Sequence, residues 1–326
     1  MPETPATIIA VIPCLNEERH IARLVRALVA DRGDLPMTIV IADGGSSDAT
    51  PDIARKLADT LPDVRYLHNP KRLQSAAVNL AAQSYGDEAR YLIRIDAHAD
   101  YPPDYCRALV GEAEALGADS VVVTMKTAGT GLFQRAAAAA QNSLLGNGGA
   151  AHRNAAFQGK WVEHGHHALM RLDAFRAVGG YDENFPTNED AELDIRLRRA
   201  GYRIWLTAQT AVTYFPREKP AALLRQYFRF GQGRARTIAK HRVLPRLRQV
   251  LPLAVAPAAL MLPLALLHWI FAVPFLTWAL LCLGYGALLG LRARDAAAML
   301  SGFAAMLMHL GWSFGFGAGL LGRMAR

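Results

Sequence analysis

The sequence predicts an α/β domain with a parallel sheet, followed by membrane helices. Three observations predict it. From the start of the chain to Pro216, short apolar runs alternate with amphipathic stretches; residues suited to chemistry sit at the ends of those runs; and the part from Val250 onward holds two long stretches free of Asp, Glu, Lys and Arg.

Taken in order, TIIAVIP (Thr7 to Pro13) reads as a strand. The stretch from Asn16 to Asp31 reads as a helix with Ile21, Leu24, Val25 and Leu28 on one face. MTIVIAD (Met37 to Asp43) is a second strand, and Thr50 to Leu61 a second helix, with Thr50 as its cap and Pro51 at its first position. VRYLHN and LQSAAVNLAAQSY make a third pair, YLIRIDAH and PPDYCRALVGEAEAL a fourth, and ADSVVVTMK continues the series. Strands alternating with helices of this length imply right-handed crossovers and a sheet covered on both faces. Such sheets bind ligands beyond the carboxyl ends of their strands.

The net charge of +8 conceals a division. From Arg217 onward, 14 Lys or Arg face only Glu218 and Asp295, which is +12 and leaves −4 for the part ending at Pro216. A mildly acidic front and a basic, apolar back exclude a single nucleic-acid-binding surface. Cys14, Cys106 and Cys282 are too scattered for a disulfide framework or a zinc site. Neither Val250 to Leu291 nor Ala296 to Gly322 contains Asp, Glu, Lys or Arg. Since a span needs roughly 20 apolar residues, the first run is long enough for two spans turning between His268 and Pro274, and the second suits a third. Arg225 to Gln249 carries eight Lys or Arg and no acid. That basic flank, joined by Arg292 and Arg294, is expected to stay cytoplasmic, with no signal sequence at the start; Arg323 and Arg326 fall on the other side, against the rule. The predicted division is a cytosolic domain (1–216), a basic interfacial segment (217–249) and a membrane domain (250–326).

The strand ends carry the chemistry. In IADGGSSDAT, Asp43 precedes a Gly-Gly turn, where its carboxylate can accept hydrogen bonds from a base or ribose while Ser and Asp cap the helix that follows. The pattern is neither G-x-x-x-x-G-K-[ST] nor G-x-G-x-x-G, which excludes a P-loop and argues against a dinucleotide oxidoreductase. In RIDAHADYPPD, Asp96, His98 and Asp100 alternate, so they converge if extension continues past the strand. That point would be strongly anionic without a cation. In FPTNEDAELDIRLRRAGYRIW, Asn188 can cap a helix whose first turn holds Glu189 and Asp190 and whose Leu193, Ile195 and Leu197 face inward. Acids there often serve only the helix dipole, the reading given to Glu192 and Asp194. GNGGAAHRN (Gly146 to Asn154) and KWVEHGHHALMR (Lys160 to Arg171) lie between these sites, and His-x-His-His alone is a weak metal signal.

IPCLNEE, ADGGSSDAT and RIDAHADYPPD, in that order on successive strands, resemble the inverting family 2 glycosyltransferases of the GT-A fold, a Rossmann-like nucleotide-diphospho-sugar transferase architecture whose usual motifs are P-x-x-N-E, D-D-G-S-x-D-x-T and D-x-D. DAHA, HGHHALMR and QYFRFGQGRART further resemble the membrane-bound glucosyltransferases of succinoglycan biosynthesis, over about the whole chain. The resemblance implies that Pro13, Asn16 and Glu17 border the nucleotide and that Asp43 holds uracil or ribose. Asp96 and His98 would occupy the D-x-D positions that bind Mg2+ or Mn2+. Histidine in place of the second Asp shifts the preference toward manganese, or leaves Asp100 as the second oxygen ligand. Asp190, beside Glu189, would be the catalytic base; Gly165, His166 and His167 would line the sugar pocket, with His164 merely satisfied or exposed. Gln226, Arg229 and Phe230 resemble Q-x-x-R-W with Phe for Trp, so Arg229 would meet the leaving diphosphate. Arg234 and Arg236 would do the same, touch lipid phosphate, or belong to an interfacial basic helix.

The implied activity is inverting transfer of one hexose, glucose by analogy, from a UDP-sugar to a polyprenyl-linked saccharide, at the inner (plasma) membrane among its lipids, with no nucleic-acid partner. A polyprenyl-phosphate glycosyltransferase, a processive synthase and a non-catalytic nucleotide-sugar-binding scaffold are the alternatives.

Overall fold

The computed structural model describes residues 7–148, 159–245 and 247–324. Residues 149–154 of the glycine-rich stretch and Arg326 thus lie outside the described residues. The chain divides into two units: Met1–Met125 with Ala155–Thr213, and Lys126–Asn154 with Tyr214–Arg326.

In the first unit the order is β1 (Ile8–Cys14), α1 (Ile21–Asp31), β2 (Met37–Asp43), α2 (Thr50–Thr60), β3 (Val64–His68), α3 (Gln74–Tyr85), β4 (Tyr91–Arg94), α4 (Tyr105–Leu116) and β5 (Ser120–Thr127). After α5 (Leu132–Asn142) and α6 (Leu144–Asn147) of the second unit come β6 (Lys160–Val162), β7 (His166–Arg171), α7 (Leu172–Ala177), α8 (Glu189–Arg199) and β8 (Ile204–Tyr214). Alternate residues of β1 bury on opposite faces: Ile8, Ala10 and Ile12 pack with Ile21, Val25 and Leu28, whereas Ile9 and Val11 pack with Ala77, Val78 and Ala81. Coverage on both faces is why this strand reads as an unbroken apolar run.

The sheet order is β3-β2-β1-β4-β7-β5-β8-β6. β1 runs parallel to β2 and β4, as expected, but β7 enters antiparallel between β4 and β5, and β6 is antiparallel to β8. The sheet is therefore mixed, not parallel. The crossover rule binds strands joined by a helix packed on the sheet, and α5 and α6, which separate β5 from β7 in sequence, belong to the other unit. One cap also differs: Ala49 is the N-cap of α2, and Thr50 instead accepts a hydrogen bond from the Glu17 N–H (2.8 Å) while its own N–H reaches Asp48 (3.0 Å).

The second unit adds α9 (Pro220–His241), α10 (Leu247–Val250), α11 (Val255–Met261), α12 (Val273–Ala293), α13 (Ala296–Met299) and α14 (Ser301–Met324). Ala137, Ala140, Leu223, Ala304, Ala305 and Met308 form its buried cluster, and Arg135 pairs with Asp295 at 2.8 Å. Two stretches, Trp269–Ala293 and Ala296–Gly322, are helical, long and apolar enough to cross a membrane. The remaining apolar stretch, Leu251–Leu266, is shorter and is divided into brief helical turns, where three spans were expected. Its prolines account for this: Pro252, Pro257 and Pro263 each sit at the second or third residue of a piece, where a missing N–H is tolerated, and each obstructs the turn before it. α9 and α14 pack backbone to backbone. A Cβ added at Gly231 would meet the Trp312 carbonyl oxygen at 2.2 Å, and one at Gly315 the Phe228 carbonyl oxygen at 2.0 Å, the close approach that small residues permit between apolar helices.

Candidate active site

The loops after β1 and β2 are joined by hydrogen bonds. Asn16, at φ 59°, donates its N–H to Ser46 Oγ (2.8 Å), and its side-chain oxygen accepts from Ser47 N–H (2.8 Å). Glu18 closes the same seam by accepting from Ala49 N–H at 3.0 Å. Asp43 is buried at the end of β2, where its carboxylate accepts from the N–H groups of Gly45 (3.2 Å) and Ser46 (3.1 Å) and from Ser46 Oγ (2.6 Å), with the Tyr66 hydroxyl at 3.4 Å. Pro13 lies within β1 beside Ala42. Glu17 holds His98 Nδ1 at 3.2 Å.

The segment after β4 does not remain extended. Ala99 N–H donates to the Asp96 carbonyl, closing a turn, and Asp100 pairs through its backbone with Thr213 and through its carboxylate with Arg23 at 2.8 Å. The alternation needed to bring Asp96, His98 and Asp100 to one point is thus broken by the turn. Among the described residues no group of three or more His, Cys, Asp or Glu side chains is arranged to hold a metal ion.

Asp96 instead converges with Asp190. Arg94, the last residue of β4, is 6% exposed and reaches three carboxylates: Asp190 at 2.6 Å, Glu189 at 3.4 Å and Asp96 at 3.4 Å. His166 lies 3.4 Å from Asp96 and 3.8 Å from Asp190. Burial opposes the charge on Arg94, but Asp190, Asp96, Tyr181 and Glu189 outweigh it and hold its pKa well above the ordinary value. Burial likewise opposes ionisation of Asp96, yet Arg94, His166 and His98 keep its carboxyl well below the usual range. For Asp190, Arg94 and then His167 and His166 overcome burial and set the pKa at about 2. Glu189 goes the other way: burial, reinforced by Asp190, raises it. Buried charges of opposite sign in one cluster compensate each other where none would be tolerated singly.

On α8, Asn188 takes the N-cap position in the left-handed region (φ 70°), and Asp190 and Asp194, at i and i+4, share one face. Both turn to His167, which is fully buried on β7: Nδ1 is 3.3 Å from Asp190 and Nε2 2.7 Å from Asp194. Asp194 also holds His164 at 2.6 Å, and the Tyr181 hydroxyl lies 2.7 Å from His167 and 3.1 Å from Asp190. Burial disfavours the His167 cation, but Asp194 and Asp190 raise its pKa. Asp194 is therefore more than a dipole partner. Glu192, also buried, pairs with Arg196 at 2.6 Å. In the second unit, Gln226 on α9 donates to the Tyr214 hydroxyl at 3.0 Å, its Oε1 is buried without a partner, and Arg229 lies one turn on.

Sequence reasoning found Asp96, Glu189, Asp190, His166 and His167, which the structure brings together, and missed Arg94, Tyr181 and Asp194. A charged residue ending an otherwise apolar strand was the available signal for Arg94; the i, i+4 spacing of Asp190 and Asp194 was that for Asp194.

The arrangement matches known proteins. Residues 9–179 fit the model of glycosyl transferase family 2. The chain is 56% identical over 318 residues, 98% of its length and 96% of the relative's, to the succinoglycan biosynthesis protein ExoA of Rhizobium meliloti (strain 1021). In fold it is similar to the mannosyltransferase PcManGT from Pyrobaculum calidifontis, in complex with GDP-Man and Mn2+ (TM-score 0.57, 19% identity, 96% of this chain and 88% of that one). It is also similar to GalNAc-T7 with UDP, GalNAc and Mn2+ (TM-score 0.51, 15% identity, 74% of this chain and 52% of that one). With its mixed GT-A sheet and its carboxylates gathered beyond the strand ends, the chain is a glycosyltransferase and belongs to glycosyl transferase family 2.

Proposed function

We propose that this glycosyltransferase moves a single glucose from UDP-glucose to a polyprenyl-linked saccharide, with inversion to a β-linkage, during assembly of succinoglycan or a related exopolysaccharide. The observation that carries the reading is the common setting of Asp96 and Asp190, which share Arg94 and His166. An in-line displacement needs two things close together: a group that manages the diphosphate, and a base on the far side of C1. Asp190, ionised, takes the acceptor hydroxyl's proton as its oxygen attacks C1, a contribution of roughly 10²- to 10⁴-fold. Asp43, Asn16, Glu17 and Pro13 border the nucleotide, and His166 and His167 the sugar side. By the Q-x-x-R spacing on α9, Gln226 and Arg229 are assigned to the nucleotide-sugar, with Arg229 toward the leaving group.

Asp96 and His98 would hold a divalent ion, since an ion bridging a diphosphate takes its other ligands from phosphate and water, and an imidazole favours Mn2+ over Mg2+. The ion would neutralise charge on the leaving diphosphate. The Mn2+ in the two solved relatives supports this assignment. Asp100, held by Arg23, is left out of it. The two apolar helices and the basic α9 support residence at the inner membrane with the catalytic domain on the cytoplasmic side, next to an acceptor whose lipid cannot leave the bilayer.

The test is single-turnover transfer of label from UDP-glucose into extractable lipid, with Mn2+ or EDTA and with wild-type or Asp190→Asn protein. Metal-dependent label in a lipid-linked saccharide, lost in the variant, is the expected result. Undiminished transfer by Asp190→Asn would instead fit a phosphate acceptor, which needs no strong base.

A further inference from the structure

A file of polar side chains leads away from Asp190. Its Oδ1 lies 3.1 Å from the Tyr181 hydroxyl, and that hydroxyl lies 2.7 Å from His167 Nδ1. On the other side of the ring, His167 Nε2 is 2.7 Å from Asp194 Oδ1, and Asp194 Oδ2 is 2.6 Å from His164 Nδ1. Every link is within hydrogen-bonding distance. Tyr181, His167 and Asp194 are buried, whereas the His164 side chain is 31% exposed. The file runs from the interior to the surface without a gap.

Tying β7 to α8 would need one hydrogen bond, and an apolar pair would do it without burying a carboxylate. Two imidazoles on opposite oxygens of one buried carboxylate, with a phenol completing the connection to the base, is the composition of a proton path. We propose that Tyr181, His167, Asp194 and His164 carry the acceptor's proton from Asp190 to solvent. The inference rests on Asp190 being the base.

The acceptor O–H bond breaks while its oxygen bonds to C1; the C1–oxygen bond to the diphosphate breaks, and the diphosphate keeps the electron pair. The proton then on Asp190 passes to the Tyr181 oxygen as the tyrosine's own proton moves to His167 Nδ1. The proton on Nε2 moves to Asp194, which hands one to His164 Nδ1 as the opposite nitrogen releases one to water. One proton enters, one leaves, and each side chain keeps its charge. The charged groups facing His167 are Asp190 and Asp194 from α8 and Arg94 from β4, with Tyr181 from the segment before α8. Tyr181, Asp194 and His164 act through the base and are positioning residues.

The experiment uses the full chain in membranes with UDP-glucose as donor. For His164→Gln, kcat is expected to fall about tenfold in dilute buffer, less than a full general-base contribution, with donor KM unchanged, and to recover as imidazole is added. A kcat equal to wild type, or a loss that imidazole does not restore while UDP still binds, overturns the path and leaves the base reading standing. Full activity of Asp190→Asn overturns both. A second measurement needs no variant: several protons in flight make the wild-type rate depend on the deuterium fraction of the solvent along a curve, and a straight line overturns the path.

Discussion

Asp43 is a buried carboxylate and Asp190 a partly buried one, and they are held in opposite ways. Asp43 is gripped by Gly45 and Ser46, its near neighbours in sequence, through neutral donors. Asp190 is held by Arg94 on β4, by Tyr181 and by His167 on β7. The donors on Asp43 come from its own turn, whereas the partners of Asp190 bring it opposite charge from other elements of the fold. The first arrangement suits a residue that presents oxygens to a ligand; the second suits one whose proton affinity matters.

The sharpest way to break this contrast is Arg94→Met. The substitution removes the guanidinium shared by Asp96, Glu189 and Asp190, and leaving buried charge uncompensated costs about 3–5 kcal/mol. Urea unfolding of the detergent-solubilised chain is expected to show that loss, together with loss of transfer. A cost no larger than that of changing Asp43 would mean that the cluster is not the ionic centre of the domain.

A smaller effect follows from pH. Asp190 has its pKa lowered from 3.8 to about 2, so its contribution is fully present above the unfolded value and is lost as pH falls through the folded one. The size is on the order of 2 kcal/mol, removed between about pH 4 and pH 2. Glu189, raised by burial from 4.5, has the opposite sign: its contribution is present below that unfolded value and lost as pH rises through its folded pKa. Acid unfolding followed by tryptophan fluorescence should show a larger loss between about pH 4 and pH 2 in the wild type than in Asp190→Asn, while the losses from Asp96 and Asp194, also held below the usual range, remain in both.

The same contrast explains what was legible in the sequence. β1, β2 and β4 announce themselves as apolar runs because both faces are buried, and their helices because one face must be buried every third to fourth residue. Asp43 could be placed at a turn because its partners are its neighbours in sequence. Arg94 could not be joined to Asp190 because strand and helix meet only in the folded domain, and the link from Asp190 and Tyr181 through His167 to Asp194 depends on β7 entering between β4 and β5, a pairing that no local pattern encodes. The Asp96-His98-Asp100 alternation misled for a related reason: it assumed extension where the chain turns. In the apolar tail, composition gave length, but the prolines at 252, 257 and 263 decided continuity.

For Asp43→Asn the expected change is milder. The amide oxygen can keep accepting from Ser46, but the NH2 group then faces the Gly45 N–H, leaving a part-buried donor unmatched, at about 1–2 kcal/mol. Weaker UDP binding should accompany it, read by calorimetric titration, with the unfolding cost well below that of Arg94→Met. Equal costs would erase the distinction between a turn-held and a cation-held carboxylate.

The smallest expected effect concerns the backbone part of the Asp43 region. Asn16 sits at φ 59°, a left-handed conformation that glycine adopts without penalty and alanine does not. Its side-chain oxygen separately accepts from Ser47 N–H. Asn16→Gly removes that hydrogen bond and the one from Ser47 Oγ at 3.3 Å, at a solvent-exposed seam where water can replace them, so the loss should be about 1 kcal/mol. Asn16→Ala removes the same bonds and adds the left-handed penalty, about 1 kcal/mol more. The difference between the two variants in urea unfolding therefore reports the left-handed penalty less the chain entropy that folding takes from glycine. Equal stabilities would mean that the left-handed penalty at residue 16 is no larger than that entropy, and that the seam between the first two loops is held by its hydrogen bonds rather than by the conformation of residue 16.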